Sequence, residues 1–174
     1  MNKVIEFEEF SLNTFDENLI EQLTEHSQLI ENTGSNFTVK IKSKEYWVNR
    51  LKNNELWTDQ NGYLALIDND NKVFGVIWHF SHGIQSSFEI GINIVLPTHR
   101  NGQGFGTKAL TKYCDYLFDA YPINRLQYNM VTDNIASEKL AIKAGFKLEG
   151  IQRKSLFIRG SWKDVKLYSK LRGE

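Results

Sequence analysis

An alternating apolar pattern that runs into a glycine-rich turn is the feature that most constrains how this chain folds. Apolar side chains recur at every second position from Phe88 to Leu96, which is typical of a strand with one buried face. Pro97 ends this pattern, because proline cannot donate a ladder hydrogen bond. Three glycines follow within residues 102–106, and helical apolar spacing occupies residues 104–119. The chain is therefore predicted to pass from a strand through a tight turn into a helix.

Strands and helices are interleaved along the rest of the chain. Apolar runs predict strands at residues 3–10, 62–67, 72–80 and 125–131, and a terminal hairpin over 147–171. Helical spacing predicts one helix after a capping box at Thr14 and Glu17, one capped by Ser43, and one over residues 134–144 that Gly145 ends. This order predicts an α/β (α+β) fold with a mixed sheet.

Length and composition suit one cytoplasmic domain spanning residues 1–174. Lys and Arg number 21 against 21 Asp and Glu, and such a balance argues against a dedicated nucleic-acid binder. No run approaches the ~18 apolar residues of a membrane span, and the N-terminus lacks a secretory pattern. We therefore expect no nucleic-acid or membrane partner, and the sequence leaves a homodimer open.

The charges are unevenly distributed. Residues 1–35 hold eight acidic and one basic residue, whereas residues 139–174 hold ten basic and three acidic ones. This asymmetry fits two solvated faces, or an acidic surface that attracts a cationic substrate beside basic residues that favour an anion. The sequence leaves both interpretations open.

The sequence indicates neither a catalytic cysteine nor a metal site built on histidines. Cys114 lies on the apolar face of the predicted 104–119 helix, so we expect a packing role rather than an acyl carrier. His79 and His82 have a spacing seen in metal sites, but no cysteine or acidic cluster adjoins them. No metal site is predicted.

The glycine-rich turn is a candidate phosphate site. Glycines let backbone N–H groups approach a ligand closely, and a helix N-terminus adds unsatisfied donors and partial positive charge. The spacing fits neither a Walker loop nor a dinucleotide fingerprint. A turn that only starts a helix remains the alternative. The candidate residues are Arg100, Asn101, Gly102, Gln103, Gly104, Phe105, Gly106 and Thr107.

Two motifs together resemble the GCN5-related N-acetyltransferase (GNAT) superfamily, in its RimJ/RimL branch. The first is the end of the glycine turn, Gly104-Phe105-Gly106-Thr107. The second comprises Asn134, Ser137, residues 143–146 and residues 149–150. The resemblance covers residues 60–171 and implies a mixed, largely antiparallel sheet of six to seven strands flanked by about four helices.

The same resemblance implies acetyl-CoA as co-substrate and assigns residues to it. The pyrophosphate would lie on the loop amides, with Arg100 or Asn101 as its side-chain contact. Ile94, Val95 and Leu96 of the preceding strand would bind the co-substrate, and a main-chain N–H near Val95 or Ile94 would bind the oxyanion. Asn134 would hydrogen-bond the pantetheine arm. The position of the tyrosine acid found in many relatives holds Ala141, so Ser137 is the alternative acid.

Acetyl transfer to an amine also needs a base, because an ammonium has no lone pair. Glu89 is the candidate, since it lies on the predicted 88–96 strand, on the face opposite Phe88 and Ile90. An ordinary polar strand face is the alternative. The predicted function is N-acetylation of a protein or peptide N-terminal α-amine. The alternatives are acetylation of a polyamine or antibiotic, and a non-catalytic CoA sensor.

Overall fold

A twisted sheet with helices on both faces forms the centre of the molecule. The computed structural model describes residues 3–27, 42–81, 83, 86–94 and 103–174. Within these residues the strands are β1 (Lys3–Glu6), β2 (Phe10–Thr14), β3 (Asn61–Asp68), β4 (Val73–Ser81), β5 (Ser87–Ile94), β6 (Arg125–Val131), β7 (Lys147–Ile158) and β8 (Ser161–Leu171). The helices are α1 (Glu17–Ser27), α2 (Lys44–Lys52), α3 (Phe105–Ala120) and α4 (Ile135–Lys143).

The strand order is β1-β2-β3-β4-β5-β6-β8-β7. Neighbouring strands are antiparallel except β5 and β6, which are parallel because α3 crosses between them. The predicted α/β class, mixed sheet and four helices are confirmed. The prediction of six to seven strands was too low, since the described chain forms eight. Residues 3–10 do not form one strand, because the chain reverses where the Phe7 N–H donates to the Phe10 carbonyl (2.9 Å).

Side-chain hydrogen bonds cap the N-termini of α1, α2 and α4. Ser43 Oγ accepts from the Tyr46 N–H (3.2 Å), as predicted for α2. The capping box at Thr14 was wrong, because Thr14 ends β2 and pairs with Leu64. Asp16 instead accepts from the Leu19 N–H (2.9 Å) and starts α1.

The sheet separates two apolar cores. On one face, α3 and α4 cover the side chains of Phe88, Ile90, Leu126 and Tyr128. The predicted inner residues of α3 are all buried there: Ala109, Leu110, Tyr113, Cys114 and Leu117. On the other face, α1 and α2 cover a smaller core. Gly145 follows α4 with a φ of +88°, as expected for a helix stop.

Two buried groups on the α3 side hold no charge at neutral pH. Burial raises the pKa of the Cys114 thiol to about 12, which agrees with a packing role. Burial lowers the pKa of His79 to about 4, and its Nδ1 lies 2.7 Å from the Tyr113 hydroxyl. His82 lies outside the described residues.

Two kinds of feature are absent from the described ranges. No helix there is long and apolar enough to cross a membrane. Nor do three or more histidine, cysteine or acidic side chains gather there in a geometry suited to a metal ion.

Candidate active site

The parallel strands β5 and β6 are paired at one end and separate at the other. In the described chain their pairing covers three positions, from Ser87 with Arg125 to Glu89 with Gln127. Both strands continue beyond this point, to Ile94 and Val131. The sheet therefore splits between β5 and β6.

A cavity of about 190 Å³ lies at this split. Its lining comes from both strands, from α4 and from the terminal hairpin: Trp78, Gly91, Ile92, Tyr128, Asn129, Met130, Val131, Asn134, Ser137, Leu156 and Ile158. Mostly apolar walls with a few converging polar groups are typical of a small-molecule site. Asn134 and Ser137, both predicted from the sequence, are therefore brought to one cavity.

The first turn of α4 holds these two side chains in place. Asn134 Oδ1 accepts from the Ser137 N–H (3.1 Å), so Asn134 caps the helix. Ser137 Oγ lies 2.8 Å from the Tyr128 hydroxyl on β6. Burial raises the pKa of Tyr128 to about 12, so the phenol stays protonated and can donate to Ser137. Ser137 can then direct its own proton towards the cavity.

The N-terminus of α3 lies at the glycine-rich turn for which the sequence predicts a phosphate site. Gly104 is the N-cap residue with a φ of +86° and no side-chain cap bond, and among the described residues no atom beyond its chain neighbours lies within 4 Å of where its Cβ would be. This left-handed backbone favours glycine, and the helix terminus leaves backbone N–H groups without an intrahelical partner. A Cβ on Gly106 would lie 2.8 Å from Leu140 of α4, so the two helices meet closely here.

The other described loop residues differ in exposure. The Phe105 ring packs against Phe10 and Phe74, with centroids 5.3 Å and 5.9 Å apart, so its side chain belongs to the core. Gln103 is exposed and Thr107 is half-buried.

Several predicted positions lie beyond the described part of the chain. Ile94 ends β5, and its side chain lies outside the described residues. Five further positions also lie outside them, and their roles stay predictions: Val95, Leu96, Arg100, Asn101 and Gly102.

Glu89 and Asn129 meet on the sheet face opposite α3 and α4. The side chains of Phe88 and Tyr128 face α3, so their neighbours Glu89 and Asn129 face the other way. Asn129 Nδ2 donates to Glu89 Oε2 (2.7 Å). Glu89 is half-buried, and Asn129 also lines the cavity. The predicted base is thus one hydrogen bond away from the cavity that holds Ser137.

An ion pair between Arg125 and Glu149 lies at the border of the sheet face that holds Glu89 and Asn129. Arg125 of β6 binds both carboxylate oxygens of Glu149 on β7, and Ser169 Oγ donates to the same carboxylate (2.6 Å). These bonds, first from Arg125 and then from Ser169, lower the pKa of Glu149 to about 2. Glu149 is therefore ionised and held by Arg125.

Sequence reasoning missed Gly91, Tyr128 and Asn129. A Cβ on Gly91 would lie 2.3 Å from the Trp78 ring, so glycine is required where that ring crosses β5. A tyrosine in the apolar stripe of β6 needs a partner for its hydroxyl, and this was the available signal for Tyr128. The contact between Asn129 and Glu89 depends on the parallel register, which no local pattern specifies.

Comparisons with known proteins agree on one family. Residues 12–147 match the family model described as "Acetyltransferase (GNAT) domain". The probable N-acetyltransferase YjcK of Bacillus subtilis is 32% identical over 98 residues, which cover 55% of this chain and 52% of that protein. The [ribosomal protein uS5]-alanine N-acetyltransferase of Escherichia coli is 30% identical over 105 residues, covering 59% and 53%. The matched segment spans about half the length of these relatives.

Solved structures share the whole fold at low sequence identity. Ribosomal-protein-S5-alanine acetyltransferase from Vibrio fischeri has a TM-score of 0.86 at 22% identity, covering 98% of this chain and 97% of that one. RimL, a ribosomal L7/L12 α-N-protein acetyltransferase in complex with coenzyme A, has a TM-score of 0.85 at 19% identity, covering 98% of both. Spermidine N-acetyltransferase from Vibrio cholerae, in complex with CoA and spermine, has a TM-score of 0.79 at 19% identity, covering 94% and 95%. At these identities the likeness shows the fold alone.

Proposed function

Because this chain belongs to the GNAT acetyltransferase domain family, we propose that it transfers the acetyl group of acetyl-CoA to a primary amine. The acceptor we propose is a protein or peptide N-terminal α-amine. The observation that carries this proposal is the split between β5 and β6. It places a cavity with Ser137 and Asn129 between the strands, and Glu89 lies one hydrogen bond away.

The described residues fit acetyl-CoA. A helix N-terminus that no described side chain caps, and at which no described atom beyond the chain neighbours crowds Gly104, suits a pyrophosphate; Asn134 retains its Nδ2 hydrogens as donors for the pantetheine arm. When bound, this co-substrate supplies a thioester carbonyl that an amine attacks, giving an amide and a free thiol. The loop contacts at Arg100, Asn101 and Gly102 are part of the same proposal.

Glu89 is proposed as the base that removes a proton from the acceptor, directly or through one water. An α-ammonium has a pKa of about 8, so at neutral pH most of it is protonated and cannot attack. A carboxylate beside the cavity also attracts that cation. The hydrogen bond from Asn129 holds the carboxylate in one orientation.

Ser137 is proposed as the hydrogen-bond donor to the departing sulfur. With the protonated Tyr128 hydroxyl as the donor to Ser137 Oγ, the serine proton is directed away from the tyrosine. A thiol has a pKa of about 8.5, so its thiolate is a fair leaving group and one donated hydrogen bond suffices.

The described charges favour an α-amine over a polyamine. Two acidic residues of α1 are paired with lysines of α2, Glu21 with Lys44 and Glu17 with Lys52 (3.9 Å). The acidic segment is thus partly neutralised, which weakens the case for a surface that collects polycations. Two proteins named above are a [ribosomal protein uS5]-alanine N-acetyltransferase and a ribosomal L7/L12 α-N-protein acetyltransferase, and these names support the same choice.

An acceptor panel tests this proposal. Acetyl-CoA-dependent release of free thiol is measured with peptides beginning in Ala or Ser, with spermidine and with an aminoglycoside. We expect the peptides to give the highest kcat/KM. Turnover of spermidine and of none of the peptides would show that the acceptor is a polyamine and not an N-terminal α-amine. CoA binding by calorimetry without turnover of any amine would favour a non-catalytic sensor.

Replacing Glu89 with glutamine tests the base. We expect Glu89→Gln to lower kcat/KM about 100-fold at pH 7, and less at pH 9.5, because the amine is then neutral without a base. The exposed Glu8→Gln on the β1–β2 turn is the control and should leave the pH–rate profile unchanged. A wild-type profile for Glu89→Gln would remove Glu89 as the base.

A further inference from the structure

The orientation of the Asn129 amide is fixed by its neighbour. Asn129 Nδ2 donates to Glu89 Oε2 at 2.7 Å, as expected where the carboxyl group that is proposed as the base accepts a hydrogen bond. The carbonyl oxygen, Oδ1, then points away from the carboxylate. The direction of the hydrogen bond to Glu89 therefore determines that Oδ1, and not Nδ2, is the end of the Asn129 amide left for another partner.

Asn129 Oδ1 is a buried acceptor for which the described chain supplies no donor. Buried polar atoms in native proteins nearly always have a partner, and one that lacks it marks a place for a ligand or a water. Asn129 lines the cavity at the strand split. A bound molecule with an N–H or O–H group would complete this hydrogen bond.

The sheet geometry indicates which molecule this is. The groups suited to the coenzyme, Ser137, Asn134 and the start of α3, lie on the α3–α4 side of the sheet. Asn129 lies on the opposite face with Glu89. The donor that reaches Oδ1 therefore approaches from the side of the base.

We propose that Asn129 binds the acceptor's amino group through Oδ1, while its Nδ2 holds Glu89. This inference rests on the proposed function and adds to it a second contact for the nucleophilic nitrogen. A neutral primary amine keeps two N–H groups beside its lone pair. One of them can bond to Oδ1, and the lone pair stays available for attack.

A pair of near-isosteric variants tests this contact. Asn129→Leu removes the acceptor oxygen, and we expect the amine KM to rise about tenfold, because the buried N–H of the amine then lacks a hydrogen-bond partner; the acetyl-CoA KM should stay unchanged. Asn129→Asp keeps an oxygen there, because two adjacent carboxyls share one proton and the protonated one can still donate to Glu89. Its amine KM should stay within about threefold of wild type.

The control and the contrary outcomes follow from the same geometry. Asn13 on β2 is a buried amide whose side-chain atoms have no partner in the described chain, and Asn13→Leu should leave both KM values within about twofold. If the amine KM rose equally in Asn129→Leu and Asn129→Asp, Asn129 would have a structural role only. A rise in the acetyl-CoA KM instead would assign Oδ1 to the coenzyme, and wild-type constants in Asn129→Leu would remove the contact.

A binding measurement separates this inference from the proposed function. The side-chain amide signal of Asn129, identified by its loss in Asn129→Leu, is followed by NMR in protein saturated with CoA. We expect saturable shifts on titration with an Ala-initiated peptide or, where the panel selects it, spermidine. If no amine is turned over, the proposed function fails and this titration alone decides the role of Asn129. A signal that responds to CoA but to none of the amines overturns the inference.

Discussion

Side chains at the candidate site are held by hydrogen bonds within the protein. Asn134 caps α4 through Oδ1, and the same bond places the Ser137 N–H. Ser137 Oγ is then held by Tyr128 (2.8 Å), which β6 contributes. A site whose donors are already oriented loses little conformational entropy on binding. At this scale one helix start and one buried phenol set the geometry.

Gly104 provides a residue-scale prediction about the phosphate site. Asn and Asp both tolerate its left-handed backbone and have the same shape, so Gly104→Asp and Gly104→Asn differ in charge alone. We expect calorimetry to give Gly104→Asp a CoA affinity at least about tenfold weaker than Gly104→Asn, because the carboxylate repels the pyrophosphate. Equal affinities would place the pyrophosphate elsewhere.

The split between β5 and β6 is a property of elements rather than of single residues. Pairing stops after Glu89 and Gln127, and within the described ranges the ends of both strands border the cavity instead of each other. The neighbouring antiparallel pair, β4 with β5, stays in register from Gly75–Ile94 to Ser81–Phe88. One side of β5 is therefore rigidly attached to the sheet while the other can face a ligand.

Gly91 gives the prediction at the scale of strands. Gly91→Ala should cost about 1–3 kcal/mol of unfolding free energy, because its Cβ would overlap the Trp78 ring and push it across the cavity. CoA affinity should fall as well. Gly150→Ala on β7 is the matched control, since no atom of the described residues beyond its chain neighbours lies within 4 Å of its Cβ position. Urea unfolding and calorimetry measure both effects, and equal stabilities would contradict the overlap.

At the scale of the whole molecule, the sheet and α3 are joined by a buried polar contact. His79 of β4 is fully buried and its Nδ1 lies 2.7 Å from the Tyr113 hydroxyl of α3. The rings of Phe88 and Trp57 pack against it, with centroids 4.8 Å and 5.6 Å away. This contact ties the stability of the fold to pH.

The sign of that dependence follows from the lowered pKa of His79, about 4 against 6.5 in an unfolded chain. Above pH 6.5 the histidine is neutral in both states, and its titration does not lower the free energy of unfolding. As the pH falls towards 4, the unfolded chain binds a proton that the folded chain excludes, so the free energy of unfolding decreases. The loss amounts to up to about 3 kcal/mol. Urea unfolding at pH 7 and pH 4.5 should show a smaller drop for His79→Gln than for wild type. The same drop in both would exclude His79 as the cause.

Local patterns in the sequence determined the elements and the family. The inner face of α3, the Ser43 cap, the terminal hairpin and the two GNAT-like motifs depend on residues close together in the chain, where periodicity and turn chemistry act. Two features near the N-terminus were predicted wrongly. The chain reverses after β1 where one strand was predicted, and Asp16 caps α1 instead of Thr14, because two helix-start signals lie within a few residues of each other.

Only the tertiary structure decided which side chains share the site. Glu89 and Asn129 are 40 positions apart, and the bond between them requires the parallel register of β5 and β6. The cavity likewise depends on where that pairing stops, and Tyr128 reaches Ser137 because α4 packs across β6. Register and packing are set by the summed contacts of the whole core, so no single segment of the sequence contains them.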